Sequence, residues 1–491
     1  VYSINHCVPE GMVSTAIARA KLEPELSNTF SSSSMLASKG FYSNRVELTW
    51  TGDNNEQALN AYKIYRKELG STEDSSLIAS PNSGSNIAID YLVDAGKLYQ
   101  YTIVAETQCD KTTLYSNPAT AIGFRSPFGT ITGNISYSGG IAVRGAKISA
   151  SSTSQIFGNS VSLSAADTIK IQHQNSLNPS DELLLEAWLN PGSLDDDFTL
   201  FEKPGSYALR FDQDAMQLQF EISHNSGLTD MLALDASGIL PDNFSHIAAQ
   251  LYQDSLMIFL NGNRAASSFV TAGTHIDPSG TALSIGTGFS GILDEIRIWN
   301  KAKSPALMQQ DFSRLMVGGE PGLVVYLRMN EGTGQYAYDI SKNGSSFNRN
   351  HALLSGGSSW SGTIPSSSQL SVAAYTDSLG NYSISAPYSG QGEAFMLTPS
   401  YLTHNFDPAT RALYIGDGSQ IHNNIDFEDI SSFTVDGSLF YKNTSCAVEG
   451  AFILVDGESV IVSGQPARTG PDGLFSVQVP IGNHVMEVSQ P

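Results

Sequence analysis

Cysteine, cationic charge and long apolar runs are all scarce in this chain of 491 residues, and each scarcity excludes something. Three cysteines, Cys7, Cys109 and Cys446, build no disulfide framework and no C-x-x-C pair of the kind a zinc or redox site uses. They read as reduced thiols buried in strands. Lys and Arg number 26 against 48 Asp and Glu, for a net charge of −22, and the cations nowhere cluster. A nucleic-acid binder needs a basic stripe to displace counterions, so nucleic acid is excluded as a partner. No apolar run approaches the roughly 18–20 residues of a membrane-crossing helix. Neither G-x-S-x-G nor H-E-x-x-H occurs, and the nine histidines are scattered without a pair at ligand spacing. No catalysis is expected.

What is abundant points the other way. The chain is 41% hydrophobic and 15% charged, with 44 Gly and 20 Pro and many Ser, Thr and Asn. That balance suits short strands joined by tight turns, hence an all-β fold. At roughly 150 residues per domain, three or four domains are expected.

Two internal repeats organise the chain. Tyr2-Ser3-Ile4, Cys7 and Ser14 recur as Tyr101-Thr102-Ile103, Cys109 and Ser116. The matching places of Cys7 and Cys109 argue against their pairing with each other, and Val1 is expected to begin inside a module. The second repeat is intact near the C-terminus: Val435-Asp436-Gly437, then Gly450-Ala451-Phe452-Ile453, then Thr469-Gly470-Pro471-Asp472-Gly473-Leu474-Phe475. Its other copy opens at Ile131-Thr132-Gly133 and Gly145-Ala146-Lys147-Ile148 but resumes only at Thr376-Asp377-Ser378-Leu379-Gly380-Asn381-Tyr382. From glycine to threonine the separation is 469 − 450 = 19 residues in one copy and 376 − 145 = 231 in the other. The excess, 231 − 19 = 212 residues, is a whole domain parked in a loop of another. Such insertion is tolerated where the guest's ends lie close together, so the segments near Ile156 and Trp360 should be neighbours.

Residues 31–126 alternate as half-buried strands, with Val46, Leu48 and Trp50 on one face and Tyr62 and Ile64 on another. This stretch resembles a fibronectin type III module. The resemblance makes Trp50 its core tryptophan and Tyr99 the corner tyrosine whose hydroxyl ties back to the backbone. Residues 1–30 resemble the C-terminal part of a preceding module of the same kind. The duplicated motif is similar to the carboxypeptidase regulatory-like sandwich, discontinuous over 127–153 plus 370–430 and truncated over 431–491.

The inserted stretch carries Gly291-Ile292-Leu293-Asp294-Glu295-Ile296-Arg297-Ile298-Trp299-Asn300, Gly322-Leu323-Val324-Val325-Tyr326-Leu327, and the strand Leu184-Leu185-Glu186-Ala187-Trp188-Leu189. Over 154–362 it resembles the bacterial laminin-G-like, concanavalin A-like jelly roll. It departs from that family at Ala165-Ala166-Asp167, where paired acidic residues are common, which puts a metal site using that pair in doubt.

Many jelly rolls hold a structural calcium, and Asp294 is the candidate oxygen ligand. Its plainer role is an exposed strand carboxylate or an ion pair with Arg297. Asp195-Asp196-Asp197 lacks the spacing of a calcium loop and reads as a solvated tip. Glu186 and Trp188, two apart, share a strand face opposite Leu185, Ala187 and Leu189. They form a sugar-binding pair if that face is open and a structural pair if it is covered. Retaining glycosidases need two carboxylates about 5 Å apart. Asp294 and Glu295, as strand neighbours, would instead point to opposite faces.

The expected architecture is a row of β-sandwich modules behaving as a quasi-one-dimensional rod, with the jelly roll projecting from it. The resemblances imply a non-enzymatic segment of a large bacterial surface or secreted protein. Its jelly roll would bind glycans or surface proteins outside the cell. The alternatives are a purely structural spacer, or an accessory region of a secreted enzyme whose catalytic domain lies elsewhere.

Overall fold

The computed structural model describes residues 35–51, 60–109, 112–138, 140–152, 158–270, 273–342, 350–388 and 392–490. The module expected over 1–30, with Cys7, lies outside the described residues, as do Ile156 and the side chain of Cys109. Among the described residues the only α-helix is Pro305–Asp311; the rest is strand, turn and loop, with a short 3-10 helix at Asn175–Leu177. The fold class is all-β.

The first module divides into a three-stranded sheet (Met35–Ala37, Val46–Trp50, Ile87–Asp90) and a five-stranded one (Ser76–Ala79, Ala61–Glu68, Tyr99–Cys109, Thr112–Tyr115, Ala119–Gly123). Alternation along Val46–Trp50 buries Val46, Leu48 and Trp50. Trp50 meets Tyr62 edge-on at 5.3 Å in the core. The Tyr99 hydroxyl accepts the Asp94 N–H at 3.2 Å.

Downstream, the strands Phe128–Tyr137 and Lys147–Ser152 find their partners far along the chain. Phe128–Tyr137 pairs antiparallel with Asn381–Pro387 and parallel with Phe427–Asp429. Lys147–Ser152 lies between Ala373–Tyr375 and Glu393–Ser400. The two halves share one core, in which Ile131, Ile135 and Ile148 meet Ile384 and Leu397.

The split and intact motifs make the same bonds. The Thr376 hydroxyl accepts the Ala146 N–H at 2.9 Å and donates to Val143 O at 2.5 Å. The Thr469 hydroxyl accepts the Ala451 N–H at 3.0 Å and donates to Val448 O at 2.6 Å. The turns that follow hold Gly380 and Gly473 at φ 78 and 75, where a side chain would be strained. Both threonines are buried. Thr376→Ala and Thr469→Ala should therefore each cost about 1–3 kcal/mol, read by denaturant unfolding, because each strands one buried donor and one buried acceptor.

Between the halves sit two eight-stranded sheets packed face to face. The first runs Asn263–Phe269, Ser255–Leu260, Ser245–Tyr252, Leu183–Pro191, Gly291–Trp299, Ser160–Leu163, Ser359–Ser361, with Leu323–Leu327 also paired to Gly291–Trp299. The second runs Leu228–Asp235, Gln217–His224, Tyr207–Asp212, Phe198–Lys203, Leu283–Thr287, Thr168–Ile171, Ala352–Ser355, Tyr336–Ala337. Leu185, Ala187, Phe201, Leu209, Phe220 and Ile298 are among the side chains that fill the space between them. Val161 pairs with Trp360, so the first and last described strands of this insertion are hydrogen-bonded neighbours.

The insertion does not hang free from a rod. Leu315 enters the core of the split sandwich, and Ser371 N–H donates to Ser313 O at 2.7 Å. The Arg328 guanidinium covers the Phe128 ring at 3.5 Å. The first module reaches the insertion as well, through Leu98 and Phe124 against Tyr338. Buried Arg125 joins the first module to the split sandwich, donating to Ser43 O, Tyr388 Oη and Asp417 Oδ1 at 2.7–2.9 Å. The expected nearest-neighbour chain is replaced by a three-way junction. Cys446 also departs from expectation: it is exposed, because the strands around it form only small sheets.

Candidate functional site

The pair Glu186 and Trp188 does share one face, with Leu185, Ala187 and Leu189 turned to the core. That face is covered. Ser304 caps a helix whose first residue is Pro305, a pairing that suits a helix start. The helix and Phe312 after it lie over the sheet, with Phe312 stacked on Trp188 at 6.3 Å. Glu186 and Trp188 retain 0% and 1% of their exposure, so no sugar reaches them and they are not a binding pair.

What the cover seals is an ion network. Glu186 Oε1 accepts from Lys303 Nζ at 2.9 Å, and its Oε2 lies 3.2 Å from His246 Nε2 and 3.6 Å from Arg297 Nη1. Lys303 also meets Asp311 at 3.3 Å, and Arg314 Nε donates to Asp311 at 2.6 Å. Arg297 Nη2 and the Tyr326 hydroxyl both donate to Glu295, at 2.9 and 2.5 Å. Three carboxyls thus face three cations. Burial alone would raise the Glu186 pKa, yet Lys303, His246 and Arg297 hold it well below the usual carboxylate range. Burial pushes His246 down, against the pull of Glu186, favouring neutral imidazole.

Asp294 is neither exposed nor paired with Arg297. Opposite Ala187 the register slips, with Glu186 facing Arg297 but Trp188 facing Asp294. Glu295 sits in the resulting bulge at φ 49. The extra residue cancels the strand alternation, so Asp294 and Glu295 line one small cavity of ≈ 20 Å³ instead of opposite faces. Burial and the neighbouring Glu295 carboxyl raise the Asp294 pKa well above its ordinary value. Calcium takes six to eight oxygens. Here one of two carboxyls is already held by Arg297 and Tyr326, and among the described residues no three His, Cys, Asp or Glu gather as a metal site. The residues do not fit calcium. Asp195, Asp196 and Asp197 form an exposed tip, and Asp167 closes a turn by accepting the Ser164 N–H and hydroxyl.

The second sheet leaves its outer face in solvent. Along Gln217–His224, Leu218, Phe220 and Ile222 point inward and Gln217, Gln219, Glu221 and Ser223 outward. Arg210 pairs in register with Gln219 on one side and Thr199 on the other. Its Nη2 donates to Glu202 at 2.8 Å and its Nη1 lies 3.5 Å from Glu221. Partial burial opposes the Arg210 charge, but Glu202 and Glu221 outweigh it and raise its pKa. Gln219 Nε2 donates to Asp212 at 2.9 Å. Register continues the row from Glu202 through Ser284, Lys170 and Leu353 to exposed Tyr336. At about 4.8 Å per strand the row from Glu221 to Tyr336 spans roughly 29 Å. With Arg210 and Gln219 in the adjoining row, the face offers a fixed cation, carboxylates, amides and an aromatic at its end. The strict alternation of 217–224 is the sequence signal that could have found it.

Residues 163–307 match the family described as the concanavalin A-like lectin/glucanases superfamily. The concanavalin A-like match covers the heart of the insertion and no other module. A search of curated proteins finds no match. Among solved structures, similar ones include a Bacteroides ovatus protein assigned to carbohydrate binding, with 15% identity over 66% of this chain and 92% of that one and a TM-score of 0.35. Another is the heptameric SAP-like pentraxin of Limulus polyphemus, with 13% identity, 46% and 98% coverage and a TM-score of 0.28. A third is the ligand binding domain of botulinum neurotoxin serotype D in complex with N-acetylneuraminic acid, with 9% identity, 71% and 91% coverage and a TM-score of 0.28. Scores this low carry no argument about what the chain binds.

Proposed function

We propose that this chain is a non-enzymatic segment of a bacterial surface or secreted protein whose concanavalin A-like domain binds glycans through the outer face of its second sheet. The observation that carries the reading is the Arg210 cluster, held in fixed geometry by Glu202 and Glu221 on an open face of a lectin-type fold. Sugar hydroxyls both donate and accept, and such a face meets both needs. Against catalysis, the one close carboxyl pair noted in the sequence, Asp294 and Glu295, sits in a cavity of ≈ 20 Å³, far below the several hundred Å³ of ligand pockets.

The flanking modules are read as display scaffolding. A fibronectin type III-like first module is supported by its two sheets around Trp50 and by the Tyr99 tie to Asp94. A regulatory-like pair is supported by the shared bonding of Thr376 and Thr469. An extracellular setting follows from that module reading.

An oligosaccharide array probed with the full chain tests the function. Arg210→Ala and Gln219→Ala should each weaken binding roughly tenfold, about 1.4 kcal/mol, with an unchanged melting temperature. No binding by the parent chain would favour the structural-spacer alternative.

A further inference from the structure

A cavity opens where the insertion meets its host. It is a cleft of ≈ 660 Å³, within the size range of small-ligand sites. One wall belongs to the split sandwich: Thr132–Asn134 on one strand, Tyr375 on another, the turn from Asp377 to Asn381, and Tyr382, Ser383, Asn424 and Asp426. The opposite wall is the guest segment that follows the helix, with Arg314, Val317, Gly319 and Glu320. The intact copy of the motif has the same turn, at Pro471–Gly473, but hosts no insertion. The cleft exists because the motif is split.

Much of the wall is already committed to structure. Asp377 Oδ1 accepts the Leu379 and Asn381 N–H groups at 2.8 and 2.9 Å, and Asp426 Oδ1 accepts the Asn134 N–H at 2.8 Å. Glu320 holds the Val317 and Gly318 N–H groups at 2.6 and 2.7 Å. These bonds fix the wall without exhausting it. Each of these aspartates keeps a second carboxylate oxygen, and the residues Tyr375, Ser383 and Asn424, which carry two hydroxyls and an amide, also line the space. Carboxylate oxygens accept, the amide does both, and hydroxyls do either. The half-buried Tyr375 ring adds an apolar face, whereas Tyr382 belongs to the core of the split sandwich. Three carboxylates against one guanidinium disfavour an anionic ligand.

We propose that this cleft is a saccharide-binding site for a neutral oligosaccharide, distinct from the sheet face and bridging guest and host. A ligand seated there touches the Arg314–Glu320 segment and the Asp377–Ser383 turn together, so binding also stiffens the joint between the two domains.

Gly319 offers a clean block. Its φ is not in the left-handed region, and an added β-carbon would meet only Lys342 Cδ, at 3.8 Å. The full chain is titrated with neutral hexose and pentose oligomers, with a sialylated oligosaccharide as the acidic control. Hydrogen exchange is followed over 314–320 and 377–383. Binding of a neutral oligomer should slow exchange in both segments. Gly319→Phe should abolish that protection and weaken binding at least tenfold, about 1.4 kcal/mol. Tyr375→Phe with Ser383→Ala removes two hydroxyls without filling the space and should weaken it several-fold, which keeps the test valid if the phenylalanine variant misfolds. Arg210→Ala should leave the protection intact. Unchanged exchange under saturating neutral oligomer, a preference for the sialylated probe in the cleft, or parent-like affinity in both cleft variants would overturn the proposal. Loss of all binding in Arg210→Ala alone would overturn it while sparing the sheet-face reading. The reverse pattern would spare the cleft and sink that reading.

Discussion

Glu186→Leu is expected to destabilise the concanavalin A-like domain by about 3–5 kcal/mol, the cost of stranding buried charges whose partner has been removed. The loss should appear as a fall of roughly 10 °C in the melting transition of that domain. Removal leaves Lys303 and Arg297 without one of their carboxylates and His246 Nε2 without its acceptor, all in positions at most 4% exposed. Lys303 keeps Asp311 and the Trp299 ring, and Arg297 keeps Glu295, which bounds the damage. Glu186→Leu combined with Lys303→Met should recover a large part of the loss, since a buried pair replaced as a pair by apolar side chains is often nearly neutral. A double variant no better than the single would show that Glu186 does not act through Lys303. The acid limb follows from the same contacts. The folded-state pKa of Glu186 is depressed, so its contribution is present above the unfolded carboxylate value and fades as pH falls below it.

Glu331 should behave in the opposite sense. It lies at the three-module junction, lining a cavity with Arg328, Phe128, Leu98 and Tyr338. Its Oε1 accepts the Tyr338 N–H at 2.7 Å, while its Oε2 is enclosed without a partner. Burial outweighs that backbone bond and raises its pKa from 4.5 to about 7. The folded state therefore holds a proton that the unfolded state has released, and stability falls as pH rises from 4.5 to about 7, then levels off. The full penalty is of order 3 kcal/mol, less whatever solvent reaches this half-buried residue. Glu331→Gln should remove that slope and raise the melting temperature at pH 8, while changing little at pH 4. Melting curves across this range decide it: a parent slope that survives in the glutamine variant would rule out Glu331 as its source.

Sequence legibility followed the range of the interaction. Thr376 and Thr469 could be matched because turn chemistry is local, and each threonine sits beside the glycine turn it serves. The alternation of 217–224 is equally local, but whether its outward side stays open depends on what packs over it. The spacing of Glu186 and Trp188 puts them on one side of their strand but does not reveal what covers that side. Their cover comes from Lys303, the helix after it and Phe312, more than a hundred residues later. Asp294 and Glu295 failed for a different reason. A bulge changes which way a side chain points, and nothing in a run of strand-forming residues announces that Glu295 adopts φ 49.

The sequence by itself determined the all-β class, the duplicated motif and the place where one domain interrupts another. These rest on period-two alternation, turn glycines and spacing, all of which are properties of short segments. The tertiary structure alone decided which sheet face is sealed, that Asp294 turns inward with Glu295, and that three modules meet around Arg125, Arg328 and Glu331. Those outcomes depend on which surfaces exclude water from each other. Burial, ion pairing and shifted pKa values are set by neighbours brought together only when the chain closes.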